Sequence, residues 1–246
     1  MFDRLDAHKA RLDALRPLPA ALVRNLHDDL VLRWTYNSNA IEGNTLTLKE
    51  TKVVLEGITI GGKLLREHFE AINHRDAIEY VEQIVQMGEP LTEWQIRNIH
   101  RLVLKNIDDD NAGRYRSINV LIAGATYRPP DSLHVPSQME TLIAWYNTAA
   151  QGLHPIERAA RIHVDFVKIH PFVDGNGHTA RLLMNLELLK AGFPAAVLSV
   201  AQRLQYYETL DLAHTRGDYQ PFLALVSECL EQSFAVYWRA LGVRDA

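Results

Sequence analysis

The sequence predicts an all-α fold. Apolar residues recur with the period of a helix along most of the 246 residues. Three boxes, Thr47-x-x-Glu50, Thr92-x-x-Gln95 and Ser137-x-x-Glu140, stand ahead of such stretches. In a capping box the two side chains satisfy orphan N–H groups at a helix start reciprocally. Only one segment, 117–130, breaks the period: Ile118, Val120 and Ile122 alternate, Gly124 can turn the chain, and Pro129-Pro130 ends the run.

Taken in order, Pro17-Leu18-Pro19 divides the first helical stretch into about 2–15 and 20–37. The Thr47 box opens a helix over 47–56. Phe69, Ile72, Ile78, Val81 and Val85 share a stripe within 66–87, and Ile96, Ile99, Leu102 and Val103 do so within 92–106. Asp108-Asp109-Asp110 reads as a solvated loop, and 117–130 as a short β-hairpin flap. Leu142, Ile143 and Tyr146 mark a helix over 137–150; Ile162, Phe166 and Ile169 mark one over 156–169. Helices over 178–191, 201–215 and 219–240 complete the chain. No internal repeat or flexible linker interrupts it, so the whole reads as one compact unit.

Composition narrows the function classes. With 26 basic and 30 acidic residues the net charge is −4, and the pI near 6.3 does not suggest direct nucleic-acid binding. Hydrophobic residues at 47% argue against disorder. The single cysteine, Cys229, excludes an intrachain disulfide and multi-cysteine zinc sites. No run of ~18 apolar residues suggests a membrane span. Met1-Phe2-Asp3-Arg4 lacks the basic start and apolar core of a signal peptide, so the expectation is a reduced, cytoplasmic protein.

The chemistry concentrates in His170-Pro171-Phe172-Val173-Asp174-Gly175-Asn176-Gly177-His178-Thr179-Ala180-Arg181. Gly175 and Gly177 let a tight loop turn its N–H groups inward just before a helix begins. Oriented N–H groups and the helix dipole then favour a phosphate. Asp174 is a hard oxygen ligand suited to Mg²⁺, which commonly takes one or two carboxylates plus phosphate oxygens. Arg181, one turn into the helix, can clamp a phosphate with its planar fork. His170 stands where an imidazole could take a proton from an incoming hydroxyl. Base, metal ligand, anion nest and cation within twelve residues describe phosphoryl or nucleotidyl transfer. A metal hydrolase built on His163, Asp165 and His170 lacks the His-x-x-x-His helix spacing of zinc enzymes.

This run closely resembles the signature of the Fic (filamentation induced by cAMP) family, His-Pro-Phe-x-Asp/Glu-Gly-Asn-Gly-Arg-x-x-Arg. The resemblance extends over about 30–230 and departs at one position, where His178 replaces the first arginine. It implies an all-helical core with a flap, and transfer of AMP from ATP to a protein hydroxyl; relatives transfer UMP, phosphocholine or phosphate. It casts His170 as base and Asp174 as ligand of Mg²⁺, with Mn²⁺ as a substitute. Gly175, Asn176 and Gly177, continuing through His178, Thr179 and Ala180, become the nucleotide cradle, and Arg181 the γ-phosphate clamp. Ile122, Ala123 and Gly124 fall in the flap that pins a target as an added strand. Tyr206, Tyr207 and His214 match positions flanking the adenine, although His214 stands where the family often has Asn.

Upstream, Ser38-Asn39-Ala40-Ile41-Glu42-Gly43-Asn44 resembles the family's inhibitory motif, Ser/Thr-x-x-x-Glu-Gly/Asn. The resemblance implies an inhibitory N-terminal segment, 1–60, packed on a catalytic core, 61–246. Glu42 is expected to pair bidentately with Arg181 and so remove the γ-phosphate clamp. Three outcomes follow from the same residues: an autoinhibited adenylyltransferase, a deAMPylase in which Glu42 positions a water, or a non-catalytic interaction module weakened at His178. Homodimerisation is a further expectation from the resemblance. The target protein is not legible.

Overall fold

The structure, a computed structural model, describes residues 2–243. Ten α-helices run through them: α1 (Asp3–Ala14), α2 (Ala20–Ile41), α3 (Leu48–Leu55), α4 (Leu65–Met87), α5 (Glu93–Leu104), α6 (Val135–Asn147), α7 (Pro155–Ile169), α8 (Asn176–Lys190), α9 (Arg203–Arg216) and α10 (Gln220–Leu241). No strand occurs among the described residues.

Helix α8 is the axis of the molecule. It is buried on all sides from His178 to Leu188, as a helix apolar around its circumference must be. Helix α7 packs along it, joined by the loop 170–175, and α4 and α5 cover another side. Helix α6 lies on α7, while α9 and α10 close the far face. Most apolar side chains of these helices form one core that reaches Leu5 and Leu12 of α1, and Ala71 of α4 joins Leu46 and Val54 in a small second cluster. Helix α2 crosses this assembly, touching α3, α4, α8 and α10. Among the described residues no helix is long and apolar enough to cross a membrane.

Two capping boxes form as the sequence predicts, at Thr47–Glu50 and Thr92–Gln95. The third does not. Ser137 lies inside α6, its hydroxyl bonded to the His134 carbonyl at 3.0 Å, because a 3-10 turn led by Asp131 starts the helix earlier. Ser199–Gln202 makes a box that the sequence reading missed.

The β-hairpin expected over 117–130 is absent. The segment is an irregular loop with one turn, Ala125 N–H to the Ile122 carbonyl at 3.2 Å, where Gly124 has φ +79°. Its alternating residues bury no common face, since Ile118 is exposed, and Pro129-Pro130 offers no N–H to a ladder. A lone two-stranded ribbon is marginal in water. The loop is instead pinned at its base and along its returning limb. Asn119 bonds Asp131 and Ser132, and Asp211 of α9 accepts from the N–H groups of Thr126 and Tyr127.

Candidate active site

Helix α7 ends at His170, which takes the left-handed conformation (φ 51°, ψ 59°) while its N–H caps the Phe166 carbonyl at 3.0 Å. A non-glycine residue there costs about 1–2 kcal/mol. Arg116 holds it: its Nε donates to the His170 carbonyl at 2.8 Å, and its terminal nitrogens reach the Ile118 and Pro130 carbonyls at the base of the loop. Burial, with the Arg116 charge adding to it, lowers the His170 imidazole to about 4. The ring is therefore neutral at physiological pH and able to accept a proton.

The turn that follows is braced from inside. Asn176 does not face outward: its side chain closes the loop, accepting from Phe172 N–H at 3.0 Å and donating to the Phe172 carbonyl at 2.9 Å. His100 of α5 stacks on Phe172 with ring centroids 3.5 Å apart. Its Nδ1 accepts from Gly113 N–H, so Nε2 carries the proton it donates to the Asp174 carbonyl at 2.9 Å. Gly175 has φ +73°, and an added Cβ would press on the His100 ring. Thr179 bonds back to the Gly175 carbonyl and Ala180 is wholly buried, so neither side chain is directed to a ligand.

At the first turn of α8 the space in front of the backbone is taken by a carboxylate. A Cβ on Gly177 would overlap Glu42 Oε1 and crowd an Arg181 terminal nitrogen. Glu42 is the residue that ends α2, and Gly43 turns the chain away with φ +102°. Arg181 is 2% exposed and its fork is fully engaged. One terminal nitrogen donates to Glu42 Oε1 at 2.8 Å and to the Ser38 carbonyl at 3.1 Å, Nε to the Ser38 hydroxyl at 3.0 Å, and the other to the Tyr206 hydroxyl at 3.3 Å. The Glu42 contact is thus through one oxygen and not bidentate, because Ser38 occupies the rest of the fork. Burial opposes the Arg181 charge, but Glu42 outweighs it and holds the pKa above its ordinary value.

His178 borders a small cavity with Arg66, Asp174 and Gly175, but its polar edge is turned to α2. Its Nε2 is 2.8 Å from the Asn39 side-chain oxygen on α2, and its ring meets His74 edge-on. Burial, then the Arg181 charge, pushes it down to about 3. Asp174 is half-exposed. Its carboxylate accepts from Gly175 N–H at 2.7 Å and from Arg66 of α4 at 2.6 Å. Burial would raise this carboxyl, but the Arg66 bond outweighs it and keeps the group ionised below the ordinary range. One such carboxylate beside an anion cradle fits Mg²⁺ held jointly with phosphate oxygens. No group of three or more metal-binding side chains exists among the described residues.

The supposed adenine residues divide. Tyr206 is buried behind Arg181, between it and His163, and supports the arginine from the core. Tyr207 is 40% exposed and donates to the Ile41 carbonyl of α2. His214 bonds the Val164 carbonyl and packs against Tyr127 of the 117–130 loop. Ile122, Ala123 and Gly124 form the loop's outer turn. Sequence reasoning missed Arg116, His100 and Arg66, since nothing in their local spacing separates them from surface or core residues.

The Fic/DOC family description matches residues 90–188. A protein adenylyltransferase Fic from Nematostella vectensis is 38% identical over 240 residues, covering 96% of this chain and 55% of that protein. One from Drosophila willistoni is 35% identical, covering 95% and 46%. The chain thus spans about half the length of these curated relatives. Among solved structures, Fic-1 (residues 134–508) from C. elegans superposes with TM-score 0.87 at 34% identity, covering 97% of this chain and 72% of that one. A Fic domain containing signaling protein from Bacteroides thetaiotaomicron gives 0.88 at 33%, covering 97% of both.

Proposed function

The chain belongs to the Fic/DOC family, and from that premise we propose that it is a protein adenylyltransferase held off by its own helix α2. The observation that carries the reading is the Glu42 carboxylate lying in the cradle over Gly177 while bonded to Arg181. An anion already fills the place where the nest and the arginine would hold a phosphate. On this reading residues 1–60 are an inhibitory segment on a catalytic core, 61–246.

With Glu42 withdrawn, the N–H groups at the start of α8 receive the phosphates and Arg181 clamps the terminal one. Asp174 would hold Mg²⁺ or Mn²⁺; when bound, the ion offsets charge on the phosphate oxygens. A Ser, Thr or Tyr hydroxyl of the target attacks the α-phosphorus of ATP. His170 takes the hydroxyl proton, a new P–O bond forms to the target, and the bond to pyrophosphate breaks. The 117–130 loop, whose limbs do not pair with each other, offers backbone groups to a target segment at Ile122, Ala123 and Gly124. Exposed Ile58, Leu64 and Leu65 supply apolar surface for a homodimer. AMP removal is a second reading, favoured by the Glu42 side chain being 35% exposed and so open to a water.

The test is intact-mass measurement after incubation of the wild type and Glu42→Gly with Mg²⁺ and each of ATP, GTP, CTP and UTP. An AMP adduct from ATP supports transfer. Absence of any nucleotide adduct on itself or on added lysate proteins, with no release of AMP from a modified protein, makes the chain a binding module instead. Release of AMP from a modified protein identifies the second reading.

A further inference from the structure

The motif is one cation short, because position 178 carries a neutral histidine whose Nε2 is held by Asn39 of α2. A different helix brings a guanidinium to that mouth. Arg66, in the first turn of α4, is half-exposed and lies 2.6 Å from Asp174 Oδ2. Glu70, one turn on, fixes its direction through Nε at 2.9 Å, and Asn44 holds Glu70 in turn at 2.8 Å. The Asp174 carboxylate is shared between Arg66 and the Gly175 N–H at 2.7 Å. An anion in front of this loop is therefore within reach of both. Arg66 and Glu42 also line one cavity of about 480 Å³, with Glu67 and Glu70 on its wall.

We propose that Arg66 is the second phosphate-binding cation of this site, supplied from α4 in place of the missing motif arginine, and that its ligand is the polyphosphate of a nucleoside triphosphate. The inference rests on the nucleotide-transfer reading. Its chemistry is that of a charge-assisted bond between a planar fork and phosphate oxygens. Glu70 pre-sets the fork, so little side-chain freedom is lost when the phosphate replaces Asp174 as partner. The α-phosphate and the base lie outside its role, which separates it from general electrostatic attraction.

The experiment is calorimetric titration with ATP and with AMP, in EDTA, of Glu42→Gly protein carrying Arg66→Ala. ATP should bind roughly 10- to 100-fold more weakly, the range a lost charged hydrogen bond implies, and AMP within about twofold. The ATP loss should persist when Asp174→Asn is added. That arm separates direct contact from mere neutralisation of Asp174. Arg66→Gln removes the charge with less change of shape, and gives the same reading should the alanine variant unfold by its urea midpoint. Equal or tighter ATP binding by Arg66→Ala, an equal loss for AMP, or disappearance of the effect in Asp174→Asn overturns the proposal while leaving nucleotide transfer standing. Failure of the Glu42→Gly parent to bind ATP overturns both.

Discussion

His170 ends a helix in a conformation that few side chains adopt willingly, and that cost is what aims it. The left-handed turn directs the chain into the motif loop, and Arg116 secures the carbonyl that the turn exposes. Burial of the ring lowers its pKa to about 4. A base must be neutral, so the rate should fall only as pH drops toward that value, not through 6.5. Transfer by Glu42→Gly protein should show no acidic limb ascribable to His170 between pH 6 and 8. His170→Ala should lose about 10²–10⁴ in rate, the usual worth of a general base, with its urea midpoint retained. A folded alanine variant that transfers normally, or a limb centred near 6.5 that vanishes with the imidazole, refutes the assignment. His178 shows the opposite outcome of similar chemistry: burial lowers it too, yet its ring is spent on α2.

Helix α2 works as a polar key. Thr35, Ser38, Asn39 and Glu42 fall at helical spacings on one face; the first three are buried, bonded to His74, Arg181 and His178 respectively, and Glu42 reaches Arg181. Asn39→Ala keeps helix propensity but strands the buried His178 Nε2, a loss of about 1–3 kcal/mol to the docked state alone. Basal AMP incorporation should rise several-fold, yet stay below that of Glu42→Gly; unchanged incorporation would mean that His178 contributes nothing to docking. The helices were legible because most carry an apolar stripe and α3 and α5 open on capping boxes: all ten appear, close to their expected limits except that α2 runs on to Ile41. The flap was misread because alternation specifies a strand only when a partner exists to bury one face, and here Arg116 and Asp211 tie the limbs elsewhere. Within the site, the contiguous motif could be read directly from its glycines and charges. His100, Arg116 and Arg66 could not, since each acts across more than fifty residues through a contact that only tertiary packing creates.

At the scale of the whole molecule, burial of neutral histidines sets the response to acid. His74 and His163 are held well below 6.5, His100 at about 4 and His178 at about 3, each chiefly by burial. Below 6.5 the unfolded chain takes up protons that the folded chain refuses. The stability these groups contribute is full above that pH and is lost as pH falls, by roughly 2 kcal/mol at pH 5 for each ring that stays neutral. Asp165, raised by burial, runs the other way but is one group. The urea midpoint should hold steady from pH 8 to 7 and drop sharply from 6.5 to 5; a flat profile down to 5 would contradict the buried-histidine account.

On the autoinhibited reading, α2 must leave a core that it helps to complete. The central claim is that one carboxylate, lying where a phosphate belongs, controls the site through one guanidinium. The measurement that tests it most directly is the initial rate of AMP incorporation from ATP by the wild type, Glu42→Gly, and Glu42→Gly with Arg181→Ala. A freed charged hydrogen bond of about 1.5–3 kcal/mol predicts a gain of roughly tenfold or more for Glu42→Gly, and loss of that gain in the double variant. Equal rates for wild type and Glu42→Gly, or a gain that survives removal of Arg181, would contradict it.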